Sequence, residues 1–533
     1  MATTEAKPEG VAAHHNPLSP TATAHVNEYD IEAHLAAERA ELATKPWWYR
    51  FGVNSWTQIV IVSFACFCLP GMYNAISGMG GSGQLDPTVG ANASVALLSV
   101  GAATVIFVAQ PTFDIFGVRT ILIDAMYTGS LLNYNRTHNG AFVIASGAIL
   151  GLGAAFLWIT QGAIMLIRPS HPSSLRDSII TNSTHGSELG IALFWVIFNL
   201  GGAIGSFISL GINFNRTAAG TVSDATYVAY MVIMLVGWVA CLFLVPSHHV
   251  RRSDGSRAAP LPSQLQDDSH WWDKFRRVAV TEVKHIIQLK DEWRIWFLVP
   301  MCFAANWFYS YQQNEVNGLA FTLRGRSLNS ALYWAAQMFG GVIIGFLCDL
   351  PWLTRPKRAL VGWVFVFVTG NVIMGGGLAF ENWFEAQGKT HFIDFSDSKL
   401  FVGPCFLYIF YGMYDAFWQG YTYWILGALC NTPKEAARYV AVYKTMQSVG
   451  GAVAYRLTAN HLSARKQFIS NWCVIAVCLV IALPAVIKIT EPTEQEARGD
   501  YVSEAEDQPG ARRKLEAAQR HGELVHEKEI GAV

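Results

Sequence analysis

Long apolar runs alternate with short polar stretches along most of the chain. Each run is about 20 residues long, the length that an α-helix needs to cross the hydrocarbon of a bilayer. The pattern predicts an all-α polytopic membrane protein with twelve transmembrane helices. The apolar cores of the predicted spans are Thr57–Met79, Ala91–Phe113, Thr120–Asn135, Ala141–Ile167, Leu189–Asn213, Tyr227–Pro246, Arg294–Asn317, Leu328–Leu350, Ala359–Phe380, Leu400–Leu429, Arg438–Ala459 and Trp472–Ile489.

A polar central segment divides the predicted spans into two sets of six. In this segment Trp272, Phe275 and Val283 recur at helical spacing beside Lys and Arg residues, which predicts an amphipathic helix lying in the membrane interface. The predicted organisation is an N-terminal tail (1–50), a first six-helix half (51–246), a linker (247–292), a second six-helix half (293–490) and a C-terminal tail (491–533).

Basic residues are more frequent on one side of the predicted spans than on the other. Since Lys and Arg are enriched on the cytoplasmic side of membrane proteins, we expect both termini of this multi-pass protein to be cytoplasmic. The sequons at Asn92, Asn135 and Asn215 then fall on the outer side, where N-glycosylation takes place. Asn215 is the favoured site, because Asn92 and Asn135 lie close to the ends of predicted helices.

Composition and charge exclude several classes of function. Hydrophobic residues make up 52% of the chain and charged residues 14%, with the charges concentrated in the tails and the central segment. A net charge of −1 gives no indication of nucleic-acid binding. The nine cysteines lie within or beside apolar runs and lack the spacing of metal ligands. With no nucleotide motif and no pairing of a nucleophile with a base, we expect no cofactor, no metal and no enzymatic activity.

An acidic residue followed by a basic one recurs after the second span of each half. Asp114 precedes Arg119 in the first half, and Asp349 precedes Arg355 in the second. Gly345 lies four residues before Asp349, whereas Gln110 stands at that position before Asp114. Two parallel six-helix repeats are the architecture of major facilitator transporters, and this Gly-x-x-x-Asp…Arg pattern, imperfect in its first copy, resembles the cytoplasmic gating motif of that superfamily. We expect the two aspartates and the two arginines to form a gate, with ordinary interfacial ion pairs as the alternative.

Polar side chains interrupt several predicted spans, most densely between Pro300 and Asp349. Such groups are costly in hydrocarbon unless they face protein or a wet cavity. We predict that they line a polar transport cavity, although hydrogen bonds between packed helices would satisfy any single one equally well. The candidate residues are Asn74, Gln161, Asn306, Tyr309, Gln312, Gln313, Glu315, Asp415, Gln419, Lys444, Gln447 and Arg456.

Asp415 is predicted to be the most functionally sensitive charge in the membrane. It lies near the middle of its predicted span, and its side chain is too short to reach the interface. A carboxylate at that depth must be protonated, paired or exposed to water. It therefore acts either as a proton carrier or as the fixed hydrogen-bond partner of a Tyr or Trp on a neighbouring helix.

Six short stretches are more specific than hydropathy: Cys68–Gln84, Phe194–Gly201, Asn306–Tyr311, Leu328–Trp334, Asp415–Gln419 and Ala437–Tyr439. They resemble stretches of the Unc-ninety-three-like membrane proteins of fungi, and the resemblance runs from about Arg50 to Ile489. It implies a twelve-helix major facilitator fold. Members of the family include presumed transporters, a potassium-channel regulator and a trafficking chaperone for Toll-type receptors, so no substrate-binding residue is carried over.

The expected function is secondary transport of a small molecule or ion by alternating access between the two halves, with proton coupling as one option. The polar cluster inside the spans favours this hypothesis. The alternative is a non-transporting membrane regulator or trafficking chaperone, whose partners would be other membrane proteins. In either case the lipid bilayer surrounds the chain, and no nucleic acid is involved.

Overall fold

The computed structural model describes residues 39–105, 124–165, 185–246, 249–251, 271–288, 292–388, 392–429 and 433–491, and most of them are helical. Helices of the first predicted half are α1 (Trp47–Val53), α2 (Ser55–Cys68), α3 (Pro70–Gly78), α4 (Thr88–Thr104), α5 (Asp124–Thr137), α6 (Gly140–Met165), α7 (His185–Ile212) and α8 (Asp224–Cys241). The predicted amphipathic helix of the linker is α9 (Trp271–Gln288).

The second predicted half begins with a broken helix. The helix α10 (Trp293–Ala304) contains Pro300, and the short α11 (Trp307–Ser310) continues directly into a π-helical segment, Tyr311–Gly318. Proline removes a backbone donor, and π-helical turns are frequent at functional sites. The remaining helices are α12 (Leu323–Cys348), α13 (Arg355–Ala386), α14 (Ser398–Ala428), α15 (Pro433–Ala459) and α16 (Ala464–Ile487).

Eight helical segments among the described residues are long and apolar enough to cross a membrane. The apolar helix α4 is shorter. The predicted spans Thr120–Asn135, Arg294–Asn317 and Arg438–Ala459 contain helices, but these are short, interrupted or rich in charged residues. The membrane-spanning all-helical architecture is therefore confirmed, and the count of twelve spans stays a prediction.

The helices run between two sides of the bundle, which we name by their residues. The terminus side holds Trp47 and Ile487, the first and last residues of the helices α1 and α16. There Arg251 forms a parallel bridge with Asn54 at the start of α2. The glycine-loop side holds Gly80–Gln84, the loop that follows α3. At the same side Phe321 forms a parallel bridge with Ile393.

Small residues allow α7 of the first half to pack closely against α12 of the second. Ser206 and Ser330 share a hydrogen bond of 2.8 Å, and Ser209 and Ser327 share one of 3.0 Å. A Cβ atom added at Gly202 would lie 2.8 Å from the ring of Trp334. Small and hydroxylated residues are the usual means of close helix packing in membranes, and here they join the halves.

The glycine loop has a backbone shape that explains its sequence. Gly80, Gly81, Ser82 and Gly83 all have positive φ, between 53° and 80°. Glycine adopts such angles at little cost, whereas residues with a Cβ atom are strained there. Gly80 also has no space for a side chain, because a Cβ atom there would clash with the carbonyl oxygen of Gln313.

Arg326 binds this loop across the boundary between the halves. Its side chain is 1% exposed, and it donates hydrogen bonds of 2.6, 2.7 and 3.1 Å to the carbonyls of Met79, Gly80 and Gln84. The guanidinium group offers five N–H donors in a fixed plane, which suits several converging carbonyls. Arg326 thus compensates its own burial and holds the loop in place.

Two amides of the π-helical segment bind the same region. The side-chain oxygen of Asn314 accepts a hydrogen bond of 2.7 Å from the backbone N–H of Gly81. The amide of Asn317 donates one of 2.8 Å to the carbonyl of Gly78. Together with Arg326, these contacts close the interface between the halves at the glycine-loop side.

We predict that Arg326→Gln strongly destabilises the protein. The shorter amide cannot reach all the carbonyls, and each buried polar group left unpaired costs about 1–3 kcal/mol. A loss of roughly 3 kcal/mol or more in the free energy of unfolding is therefore expected, seen as a lower Tm of the purified protein. Arg136→Gln is the control, because its ion pair with Asp224 is 68% and 41% exposed and contributes at most about 1 kcal/mol. Equal losses in the two variants would contradict this role of Arg326.

An ion pair at the glycine-loop side fastens the loop between α13 and α14 to the start of α12. Arg324 donates to both carboxylate oxygens of Asp394, at 2.6 and 2.8 Å, and Thr322 donates to one of them at 2.6 Å. These donors, with Ser396, hold the pKa of Asp394 well below its ordinary value. The guanidinium of Arg324 also lies 4.5 Å from the ring centroid of Phe395, a cation–π contact that adds to the attachment.

The low pKa of Asp394 predicts how this attachment depends on pH. A carboxyl whose pKa is lower in the folded state stabilises the fold above its unfolded pKa, about 3.9, and loses that contribution as the pH falls towards its folded pKa. We expect Asp394→Asn to lower the Tm by a constant amount between pH 5 and 8. The difference from wild type should shrink only below about pH 4. A difference that already disappears between pH 5 and 7 would rule out this assignment.

Candidate functional site

Asp415 lies near the middle of α14 and is fully buried. Its neighbours along this helix are large side chains that the fold also encloses, among them Tyr414 and Trp418, both 0% exposed. A carboxylate in such surroundings loses its hydration, and this loss is tolerated only where other groups replace the water.

Four polar side chains supply that replacement. Tyr309 donates a hydrogen bond of 2.5 Å to one oxygen of Asp415, and Gln337 donates to the same oxygen. The hydroxyl of Tyr333 lies 3.5 Å from that oxygen and 3.1 Å from the amide oxygen of Gln312. Gln419, one turn along α14, donates 3.3 Å to the second oxygen. These donors are neutral and come from α11, α12 and α14, so the carboxylate joins three helices of the second half.

A chain of amides links Asp415 to a cation on α15. The side-chain oxygen of Gln419 accepts hydrogen bonds from the hydroxyl of Tyr443 and, at 2.9 Å, from the amide of Gln447. The oxygen of Gln447 in turn accepts a hydrogen bond of 3.1 Å from Lys444 Nζ. Two glutamines therefore separate the carboxylate from the ammonium group and couple them through polarisable hydrogen bonds.

Aromatic rings surround the ammonium group of Lys444. Its Nζ lies 4.7 Å from the ring centroid of Trp158, 5.4 Å from that of Tyr443 and 5.6 Å from that of Tyr423. A cation within about 6 Å of a ring face is attracted by the ring quadrupole. Trp158 belongs to α6, so this cage is built from both halves of the bundle.

The aromatic contact between the halves extends beyond the cage. Trp195 of α7 lies 6.3 Å from Tyr423 of α14, measured between ring centroids. Trp158 and Trp195 both pack edge-on against Phe198, at 5.6 and 5.7 Å. The cage therefore belongs to a continuous aromatic cluster that crosses the interface between the halves.

A comparison with known proteins assigns the chain to a family. UNC93-like protein 1 of Arabidopsis thaliana is 37% identical over 454 residues, covering 84% of this chain and 92% of that protein. UNC93-like protein C922.05c of Schizosaccharomyces pombe is 36% identical over 486 residues, covering 86% and 91%. The chain belongs to the UNC93-like family. No family model matches the chain.

Solved structures show the fold of this UNC93-like protein. A D-xylose–proton symporter superposes with a TM-score of 0.52 at 11% identity, over 83% of this chain and 98% of the symporter. A POT family transporter in complex with 5-aminolevulinic acid gives 0.50 at 12% identity, over 81% and 96%. The chain is therefore a multi-pass membrane protein with a major facilitator-type fold. At such low identity the likeness does not extend to substrate.

The structure brings part of the predicted cavity set together. Tyr309, Asp415, Gln419, Lys444 and Gln447 form the network described above, and Gln312 joins it through Tyr333. The remaining candidates make other contacts, and the side chain of Gln161 lies outside the described residues.

Those other contacts are of several kinds. Gln313 accepts a hydrogen bond from Tyr455, Glu315 accepts one from Gln467, and Arg456 donates to Asn92. Asn74 contributes its backbone carbonyl to Trp334, and Asn306 precedes the first residue of α11. These contacts suit the packing role that was the alternative to a cavity for each single residue.

Three residues of the network were not among the sequence candidates: Tyr333, Gln337 and Tyr443. Tyr333 and Gln337 lie four residues apart on α12, so they share one face of that helix. An amide within the apolar part of a predicted span is a signal that could have identified Gln337. The role of Tyr443 depends on the approach of α14 and α15, which a single sequence does not reveal.

The predicted gate residues of the second half make separate contacts with the end of α14. Asp349 accepts a hydrogen bond of 3.2 Å from the indole of Trp424. Arg355 donates one of 2.6 Å to the carbonyl of Ala428, the last residue of α14. Both contacts tie the turn between α12 and α13 to a third helix. Asp114 and Arg119 lie outside the described residues.

All three predicted glycosylation sites lie at the glycine-loop side, but in different environments. Asn215 is exposed. The amide of Asn135 donates a hydrogen bond of 3.0 Å to Asp224, and its side-chain oxygen accepts one of 2.9 Å from Gln84. The oxygen of Asn92 accepts 2.9 Å from Arg456 of the other half. A glycan on either of these last two would disturb contacts that hold the bundle together.

We therefore predict that Asn215 is the glycosylated sequon of this UNC93-like protein. Asn215→Gln should abolish the gel mobility shift that glycosidase treatment produces after expression in a eukaryotic cell. Asn135→Gln and Asn92→Gln should leave that shift unchanged. A glycosidase-sensitive shift that persists in Asn215→Gln would refute the assignment.

Proposed function

We propose that this UNC93-like protein is a proton-coupled secondary transporter that moves a small solute by alternating access between its two halves. The observation that carries the proposal is the fully buried Asp415, joined through Gln419 and Gln447 to Lys444 and so to Trp158 of the other half. The major facilitator-type fold, which a D-xylose–proton symporter shares, supports secondary transport as the class of function.

Burial of the Asp415 carboxylate, with the partly buried ammonium group of Lys444 near it, has a cost that a purely structural bundle need not carry. Replacing buried ionic groups by apolar ones of similar size is often neutral or stabilising. Intramembrane ionisable residues are accordingly associated with substrate and proton pathways. The network of Asp415 is therefore better explained by transport than by stability alone.

Proton coupling is part of the proposal because the ionised and the protonated forms of Asp415 make different hydrogen bonds. The ionised carboxylate accepts hydrogen bonds from Tyr309, Gln337 and Gln419. The protonated form becomes a donor itself and accepts fewer bonds, so the surrounding donors must rearrange. If water reaches Asp415 from each side in turn, proton exchange alternates with that rearrangement.

The orientation belongs to the same proposal. The terminus side is cytoplasmic, and the glycine loop with Asn215 faces the outside or an organelle lumen. The halves are residues 51–246 and 293–490, joined by the linker that contains α9. In this orientation the contacts of Arg326 close the outer side of the bundle.

Transport by purified protein distinguishes this function from the alternative of a regulator or trafficking chaperone. The protein is reconstituted into vesicles that contain a pH-sensitive dye, and organic acids, amines, sugars and nucleosides are added one at a time under an inward proton gradient. A transporter gives acidification of the lumen that depends on one class of solute. Absence of any solute-dependent proton movement, with the protein folded and inserted, would favour the regulator.

We predict that Asp415→Asn lowers solute-dependent proton movement at least about tenfold, since the amide keeps the shape but cannot titrate. Asp397→Asn is the matched control, because Asp397 is an exposed residue preceding the same helix, and its variant should transport as wild type. Unchanged proton movement in a folded Asp415→Asn protein would show that Asp415 is not the proton carrier.

A further inference from the structure

Lys444 has more hydrogen-bond donors than acceptors around it. Its ammonium group carries three N–H bonds, and the oxygen of Gln447 accepts one of them at 3.1 Å. Its other contacts are the faces of Trp158, Tyr423 and Tyr443. Within the described part of the chain, no carboxylate lies within ion-pair distance of Lys444.

The position of the ammonium group matters as much as its contacts. Trp158 comes from the first half, while Lys444, Tyr423 and Tyr443 come from the second, so the group lies where the halves meet. A ligand bound there touches both halves. Such a ligand can bind more tightly to one arrangement of the halves than to the other, which is the requirement for driving a conformational change.

We propose that Lys444 binds an anionic group of the transported solute, a carboxylate or a phosphate, in the cage that both halves form. This inference rests on the proposed transport function and adds the chemical class of the solute. An anionic oxygen near Lys444 would accept hydrogen bonds from the N–H groups of Nζ that the aromatic rings do not use. Hydrogen bonds between charged partners are also the stronger ones.

The link to Asp415 explains how a proton would control anion binding. While Asp415 is ionised, its charge compensates that of Lys444 through Gln419 and Gln447. Protonation of Asp415 removes the compensation, and the network then carries one net positive charge, which favours an anion. The other groups that face Asp415 are Tyr309, Tyr333, Gln337 and Gln419, all neutral. One proton and one negative charge therefore bind together.

A cationic solute fits the site less well. The aromatic faces already hold the ammonium group of Lys444, and a second cation would meet like charge unless that side chain left the cage. A neutral solute gains nothing from the cation. These two classes are the competing outcomes of the test.

The test measures stabilisation of the purified wild-type protein by ligands at equal ionic strength. The probes are acetate, succinate and inorganic phosphate, with choline as the cationic and glucose as the neutral comparison. A ligand that binds only the folded protein raises its Tm, and the rise grows with the ratio of the ligand concentration to its Kd. We expect at least one of the three anions to raise the Tm, with a stronger effect at pH 5.5 than at pH 8, and choline and glucose to have no effect.

Variants show whether Lys444 is responsible. Lys444→Gln should weaken the apparent affinity for the anion about tenfold or more, because a charged hydrogen bond is lost, and Lys444→Arg should retain binding. Asp415→Asn should bind the anion at pH 8 as well as at pH 5.5, because it mimics the protonated carboxyl. Lys466→Gln, an exposed lysine on α16, should bind as wild type. If Lys444→Gln fails to fold, the anion affinities of Lys444→Arg and Asp415→Asn, each compared with wild type, decide whether the proposal holds.

Three results would overturn the proposal: no stabilisation by any of the three anions, equal stabilisation of wild type and Lys444→Gln, or stabilisation by choline in preference to the anions. Transport measured in vesicles distinguishes a failure of the anion-site proposal from a failure of the proposed transport function. If a neutral or cationic solute drives proton movement that depends on Asp415 but not on Lys444, the function stands and the anion site is wrong. If no solute drives proton movement, both fail.

Discussion

The hydrogen bonds between Arg326 and the carbonyls of the glycine loop are the contact on which the arrangement of the two halves depends at one end of the bundle. A buried guanidinium group is stable only if its donors are used, and a loop with four consecutive positive φ angles needs external support. Each compensates the other's cost. Because the arginine and the loop lie in different halves, this compensation is available only while the halves are in contact.

The Asp415 network solves a similar problem within the second half but extends across the interface. Its carboxylate is satisfied by neutral donors, and its charge is balanced at a distance by Lys444, whose ammonium group lies against Trp158. In the proposed cycle the contacts of Arg326 and those of Lys444 join the halves at different depths. Alternating access requires that one of these two sets of contacts opens while the other stays closed. In the proposed cycle a change of charge at Asp415 acts on the contacts of Lys444 and leaves those of Arg326 in place.

Much of the network could be predicted from single residues. Asp415 and Gln419 are polar groups placed deep in an apolar run, and Lys444 and Gln447 lie within a predicted span, so the cost of such placement identifies all four as candidates without a structure. Gln337 was overlooked although an amide in an apolar span is a signal, whereas Tyr443 has an ordinary sequence neighbourhood and its importance comes from the residue it meets. Glu315 and Arg456 carry the same sequence signal as Asp415, yet they contact Gln467 and Asn92. Cost of burial shows that a partner must exist, but not which partner.

By itself the sequence determined that the chain crosses a membrane as helices, and it predicts where the chain divides into halves and which of its charges lie in hydrocarbon. These follow from length and hydropathy, because in lipid the backbone must satisfy its own hydrogen bonds locally. Only the tertiary structure decided that Arg326 binds the glycine loop, that two glutamines connect Asp415 to Lys444, and that Trp158 completes the cage. Arg326 lies between 242 and 247 positions from the three carbonyls that it binds, and Gln419 lies 28 positions from Gln447. Packing of whole helices, which no local pattern encodes, brings these residues together.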